Sequence, residues 1–126
     1  MTKDNKNIKI LVVDDEEHTR IGYAEVLEME NYDIITAEDA FKAIELLKNN
    51  QFNIIVTDLK MPEMDGIALL ERVKQISPNT KAIMITAFGS FKTYKKATDN
   101  GVVIYLNKPV RAAELIEAVS AVANID

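Results

Sequence analysis

Short, nearly continuous apolar runs alternate along this chain with longer amphipathic stretches. The runs Ile8–Val13, Ile54–Thr57, Ala82–Thr86 and Val102–Leu106 lack the in-out alternation of a half-solvated strand. They predict strands covered on both faces, as in a parallel sheet. A further run, Asp33–Ala37, is shorter and more polar, as an edge strand would be. Between them lie helical patterns. Thr19, Tyr23, Val26 and Leu27 share one face of a first helix. Gly22 sits inside that helix at a cost of about 1 kcal/mol relative to Ala, and so suggests close helix–sheet packing. Ala40, Ala43, Ile44 and Leu47 align on a second. A third opens after Asp65-Gly66, uses Ile67, Leu70 and Val73, and closes before the turn signal Ser77-Pro78-Asn79. The fourth, Ser90–Asn100, carries only Phe91, Tyr94 and Ala97 as an apolar stripe and ends at a favoured C-cap, Asn100-Gly101. Its thin stripe makes it the helix expected to be least firmly held. The last, Arg111–Asn124, aligns Ala112, Leu115, Val119 and Val122. The order is (βα)5, and right-handed crossovers then put helices on both faces of one sheet.

Composition narrows the classes. A chain of 126 residues with 48% hydrophobic content fits one globular domain. The polar opening, residues 1–7, is expected to be a flexible tail, with residues 8–126 as a single domain. With no Cys and a single His, His18, thiolate and His-rich metal sites are excluded. His18 is expected to be an ordinary exposed histidine. No apolar run approaches the roughly 20 residues that span a bilayer, and no secretory segment follows Met1, so a cytoplasmic location is expected. The net charge of −5 argues against direct nucleic-acid binding. Lys92, Lys95 and Lys96 read as a solvated helix face.

In open parallel sheets, functional groups gather beyond the carboxyl ends of the strands. Here the first strand runs into Asp14-Asp15, the third ends at Asp58, the fourth at Thr86, and the fifth leads to Lys108-Pro109. Each residue alone has a plain structural reading. Asp14 or Asp15 can cap the first helix; Asp58 can be a turn residue, Thr86 a β-former and Lys108 a surface lysine. Together they bring three carboxylates, a hydroxyl and an ammonium to one crevice. Clustered carboxylates raise one another's pKa unless a cation joins them, and three charges less that of Lys108 leave roughly two, matching a divalent ion. An all-oxygen site with few carboxylates suits magnesium (Mg2+). A carboxylate can act as nucleophile towards phosphorus, giving an aspartyl phosphate, with metal and ammonium stabilising the transferring group.

The segments Ile10-Leu11-Val12-Val13-Asp14-Asp15-Glu16, Thr57-Asp58-Leu59-Lys60-Met61-Pro62-Glu63-Met64-Asp65-Gly66, Met84-Ile85-Thr86-Ala87-Phe88-Gly89 and Tyr105-Leu106-Asn107-Lys108-Pro109 resemble, in order and spacing, the receiver domains of bacterial two-component response regulators. The likeness covers essentially the whole chain. It implies an α/β fold, a doubly wound five-stranded parallel sheet with the flavodoxin-like strand order 2-1-3-4-5. It also implies that Asp58 takes phosphate from a phosphohistidine on a sensor histidine kinase or phosphotransfer protein. Asp15 and Asp58 would bind Mg2+ directly, with the backbone carbonyl of Lys60 as third protein ligand and Asp14 acting largely through water. Thr86 and Lys108 would hold the phosphoryl group, and Lys108-Pro109 would be a cis peptide. Tyr105 matches the switch aromatic; its alternative is a half-buried β-former with a wet hydroxyl. Lys60 and Phe88, two residues after Asp58 and Thr86, match positions that tune phosphate lifetime. Val110 and Asn107 depart from the family pattern beside Lys108.

The expected function is therefore a phosphoacceptor switch that assists its own phosphorylation and dephosphorylation without being an enzyme. Its output would pass through the fourth helix, fifth strand and fifth helix to a partner or effector domain, with no nucleic acid or membrane bound by this domain. The chain suits either a stand-alone receiver or a piece of a longer regulator. A Mg2+-dependent aspartyl-phosphate phosphohydrolase is the nearest alternative, but its usual strand-one Asp-x-Asp is replaced by an adjacent pair. A phosphate-independent interaction module would be favoured if Asp15, Asp58, Thr86 or Lys108 were missing. A nucleotide- or flavin-binding protein lacks support, because no Gly-rich loop follows the first strand.

Overall fold

The computed structural model describes residues 5–87 and 89–125. Strands β1 (Lys9–Val13), β2 (Asp33–Ala37), β3 (Ile54–Asp58), β4 (Lys81–Thr86) and β5 (Val102–Asn107) alternate with helices α1 (Glu17–Met29), α2 (Ala40–Asn49), α3 (Gly66–Ile76), α4 (Phe91–Asp99) and α5 (Ala112–Ala123). The strands form one parallel sheet in the order β2-β1-β3-β4-β5. This is the doubly wound order expected from the sequence.

The continuous apolar runs have a direct explanation in the two cores. Along β1, Leu11 and Val13 face one cluster with residues of α2 and α3, while Ile10 and Val12 face the other with Leu27 of α1 and Leu115 of α5. Successive side chains point to opposite faces, so a strand covered twice has no polar side. Each fully buried Leu or Ile here would cost about 2–5 kcal/mol if cut to Ala.

Three expectations need correction. The run Val102–Leu106 reads as a strand covered on both faces, yet β5 is an edge of the sheet and Val103 is 44% exposed. An apolar side chain on an outer strand reads the same in sequence as one in the core. In α4, only Ala97 is buried, and Phe91 is 81% exposed. Gly22 marks no close packing, since a Cβ there would meet nothing within 4 Å. Of the polar opening, residues 1–4 lie outside the described residues; Asn5 is buried, and its Nδ2 donates to the Glu30 carbonyl at 2.7 Å. That bond satisfies a carbonyl left orphaned at the end of α1. Lys92, Lys95 and Lys96 lie exposed on α4, as expected. Among the described residues, no helix is long and apolar enough to cross a membrane.

Candidate functional site

The parallel register pairs Val13 with Thr57, so the residues that follow, Asp14 and Asp58, emerge side by side at the carboxyl edge of the sheet. Asp14 is 2% exposed, Asp58 8%, and Asp15 is exposed. One oxygen from each of Asp14, Asp15 and Asp58 lies within 4.8 Å of the others. From beyond β5, Lys108 reaches across: its Nζ donates to Asp58 Oδ2 at 2.9 Å and to Asp14 Oδ2 at 3.3 Å. The sequence predicts this convergence of strand ends.

The electrostatics follow from burial and charge. Burial raises the Asp14 carboxyl above its ordinary range and the Asp58 charge adds to the rise; the Glu16 amide and Lys108 only partly offset it. Burial by itself pulls the Lys108 ammonium down. The hydrogen bond from Lys108 to Asp58, with the charges of Asp14 and Asp58, overcomes that pull, and the ammonium titrates above its usual value. One ammonium shared between two buried carboxylates, with a third beside them, leaves the cluster short of positive charge. Its donors are all hard oxygens, with one carboxylate open to water. That set fits a hexacoordinate, partly hydrated ion such as Mg2+, and lacks the nitrogen and sulfur donors of a zinc site.

Local hydrogen bonds explain why the acidic groups are available. Neither Asp14 nor Asp15 caps α1. Glu16 does so, its carboxylate accepting from the amides of His18 and Thr19. Asp14 Oδ1 accepts from the Glu16 amide at 2.9 Å, leaving Oδ2 for Lys108. Asp58 Oδ1 accepts a long hydrogen bond from the Lys60 amide, 3.4 Å, and Oδ2 faces Lys108.

The remaining predicted residues fall around this centre. Thr86 ends β4 fully buried, one residue beyond Ile85, which pairs with Asp58. The Lys108 amide donates to the Thr86 carbonyl at 2.9 Å, tying the hydroxyl-bearing residue to the ammonium-bearing one. Lys108-Pro109 is cis. Lys60 is exposed beside the site, and its amide, as noted, faces Asp58. Tyr105 packs partly buried against α4. Its ring meets Tyr94 edge-on, with centroids 5.5 Å apart, and its hydroxyl lies 3.2 Å from Thr93 Oγ1. The hydroxyl is thus within hydrogen-bond reach of the first turn of α4. Val110 joins the core on the α5 side, and Asn107 Oδ1 approaches Gly89. Phe88 lies outside the described residues. His18 is exposed.

Sequence reasoning assigns no role to two residues that shape the site. Arg20 Nη1 donates to the Asp14 carbonyl at 2.9 Å. Gly66 opens α3 so close to β3 that a Cβ would collide with the Asp58 carbonyl and stand 3.0 Å from Leu59 Cα. The Asp65-Gly66 signal marks the helix start but not this approach. The spacing of Arg20, six residues after Asp14, carries no general meaning. A groove of about 600 Å³ runs from Lys108 between α1 and α5, lined among others by Thr19, Gly22, Tyr23 and Leu115. It explains why Gly22 faces open space.

Comparison with known proteins agrees with this geometry. Residues 10–120 match the family model described as the response regulator receiver domain. Sporulation initiation phosphotransferase F of Bacillus subtilis is 33% identical over 113 residues, covering 90% of this chain and 91% of that protein. The uncharacterized transcriptional regulatory protein YesN of the same organism is 35% identical over 117 residues, and the chain spans 32% of its length. Among solved structures, a CheY-like response regulator receiver domain protein from Methanospirillum hungatei superposes with a TM-score of 0.88 at 31% identity. The match covers 90% of this chain and 91% of that one.

Proposed function

Because this chain belongs to the response regulator receiver domain family, we propose that Asp58 accepts a phosphoryl group from a phosphohistidine on a sensor histidine kinase or phosphotransfer protein. The observation that carries the proposal is the Lys108 ammonium, held at 2.9 Å on Asp58 and 3.3 Å on Asp14 beside a third carboxylate. A surface lysine with no task would not be bound this way at the meeting point of three strand ends.

Asp58 Oδ attacks phosphorus, forming an acyl phosphate as the P–N bond to the donor imidazole breaks and the electron pair returns to nitrogen. Asp15 and Asp58, with the Lys60 carbonyl and with Asp14 through water, would hold Mg2+, which supplies positive charge to the phosphoryl oxygens when bound. Lys108 transfers its ion pair from the Asp58 carboxylate to a phosphoryl oxygen, so it neutralises charge both before and after transfer. The Thr86 hydroxyl donates to a second oxygen. The chain thereby assists its own phosphorylation and, with water as acceptor, its own dephosphorylation, as a switch rather than a turnover enzyme. Lys60 and Phe88 tune how long the phosphate lasts.

Drawing Thr86 to the phosphate moves the end of β4 and makes room for Tyr105 to turn inward. Phosphate thus favours one of two arrangements of α4, β5 and α5 by its better contacts there. The weak anchoring of α4 through Ala97 supports such a shift. The output partner reads this face; nucleic acid and membrane are not bound by the domain itself. NMR with Mg2+ and beryllofluoride tests the reading. Amide shifts are expected around Asp58, Thr86 and Lys108 and onward through Tyr105 into α4. Spectra unchanged by both additions would contradict it.

A further inference from the structure

The turn that leaves β1 must present Asp14 and Asp15 together beside Asp58, and three contacts fix it. The Asp14 amide donates to the Ala37 carbonyl at 3.3 Å, the Glu16 amide donates to Asp14 Oδ1 at 2.9 Å, and Arg20 Nη1 donates to the Asp14 carbonyl at 2.9 Å. The first two hold Asp14 itself. The third holds the oxygen of the peptide that joins Asp14 to Asp15, and so sets the plane from which the exposed Asp15 projects. From these contacts we infer that Arg20 is a positioning residue for the metal-binding turn, which rests on the Mg2+ reading above.

Charge alone would give Arg20 the opposite effect. A guanidinium stays cationic at every accessible pH, and near three carboxylates it competes with a divalent ion. Yet its bond goes to a neutral carbonyl, while the ion pairs of Asp14 and Asp58 go to Lys108. The half-buried side chain reaches back from the first turns of α1 to the strand end, coupling helix and turn as one rigid unit. A charge-assisted bond to a carbonyl is directional and strong enough to fix a peptide plane. Groups that orient ligands in this way typically change metal affinity about 10–100-fold when lost.

The sign of the change decides the matter. Isothermal titration of the full chain with Mg2+ alone should show Arg20→Gln binding about tenfold more weakly than wild type. Arg20→Lys, which keeps charge and a donor, should recover part of the loss. In phosphorylation by acetyl phosphate, the Mg2+ half-saturation point should rise by a similar factor. Amide spectra of β3 and β4 provide the check that the sheet is intact. Unchanged or tighter Mg2+ binding by Arg20→Gln overturns the inference and leaves the proposed function standing. Absence of Mg2+ binding by wild type overturns the metal reading itself, and the inference with it.

Discussion

The Tyr105 hydroxyl lies 3.2 Å from Thr93 Oγ1, and the same Thr93 oxygen accepts from the Ser90 amide at 2.8 Å within the capping box of α4. One hydroxyl thus joins β5 to the start of the least anchored helix. Gly89 completes the contact, because a Cβ there would stand 2.8 Å from the Tyr105 oxygen. A turn of Tyr105 removes a partner from the group that caps α4, which gives a physical route from β5 to the helix.

Thr93→Val should therefore weaken the first turn of α4 and release Tyr105 together. Ser90 Oγ still accepts from the Thr93 amide, so the expected cost stays below the roughly 1 kcal/mol of a whole N-cap. Hydrogen exchange should quicken at the amides following Ser90 while the β1 and β3 amides keep their protection. Unaltered exchange throughout α4 would contradict the coupling.

Lys108→Met leaves Asp14 and Asp58 without their shared ammonium. Breaking a buried pair costs about 3–5 kcal/mol, but Lys108 keeps 23% of its side-chain surface exposed, so about 2 kcal/mol is expected without metal. The pH dependence has a definite sign. With its folded pKa raised, Lys108 contributes fully below the ordinary value of 10.5 and loses that contribution as pH rises through the folded value. Urea midpoints of wild type and Lys108→Met should converge in that alkaline range. A gap that persists there would contradict the pairing.

Asp14→Asn should act in the reverse sense on stability and on metal. Burial raises the Asp14 pKa, so ionisation there destabilises the fold once pH passes the ordinary value of 3.8, most fully above the folded value. Without Mg2+ at neutral pH, the variant should melt higher than wild type, and its Mg2+ affinity should fall. A lower melting point without metal would contradict the burial cost.

Two helical glycines should answer substitution oppositely. Gly22→Ala faces open space and should stabilise α1 by about 0.5–1 kcal/mol. Gly66→Ala drives a methyl against the Asp58 carbonyl and should cost about 1–3 kcal/mol, with slower phosphorylation. Equal effects in thermal melts would refute the different roles given to these positions.

Much of this is legible in the chain because it rests on local rules. Buried runs such as Ile10–Val13 mark strands, and the parallel order puts Asp14, Asp58, Thr86 and Lys108 at one edge. The reading falters where a residue's meaning depends on what stands opposite it. Val103 and Phe91 are apolar but exposed, which only the sheet order and helix orientation decide. Gly22 and Gly66 are both mid-chain glycines in helical surroundings, and only distance to β3 distinguishes them. Arg20 looks like any helical arginine until its guanidinium is seen on the Asp14 carbonyl. Capping by Glu16, in place of Asp14 or Asp15, likewise depends on the path of the turn.

Intact-mass spectrometry after incubation with Mg2+ and acetyl phosphate tests the role of Asp58 most directly. Wild type should gain one phosphate that hydroxylamine removes, and Asp58→Asn should gain none. Undiminished phosphorylation of Asp58→Asn would contradict the assignment of Asp58 as the acceptor.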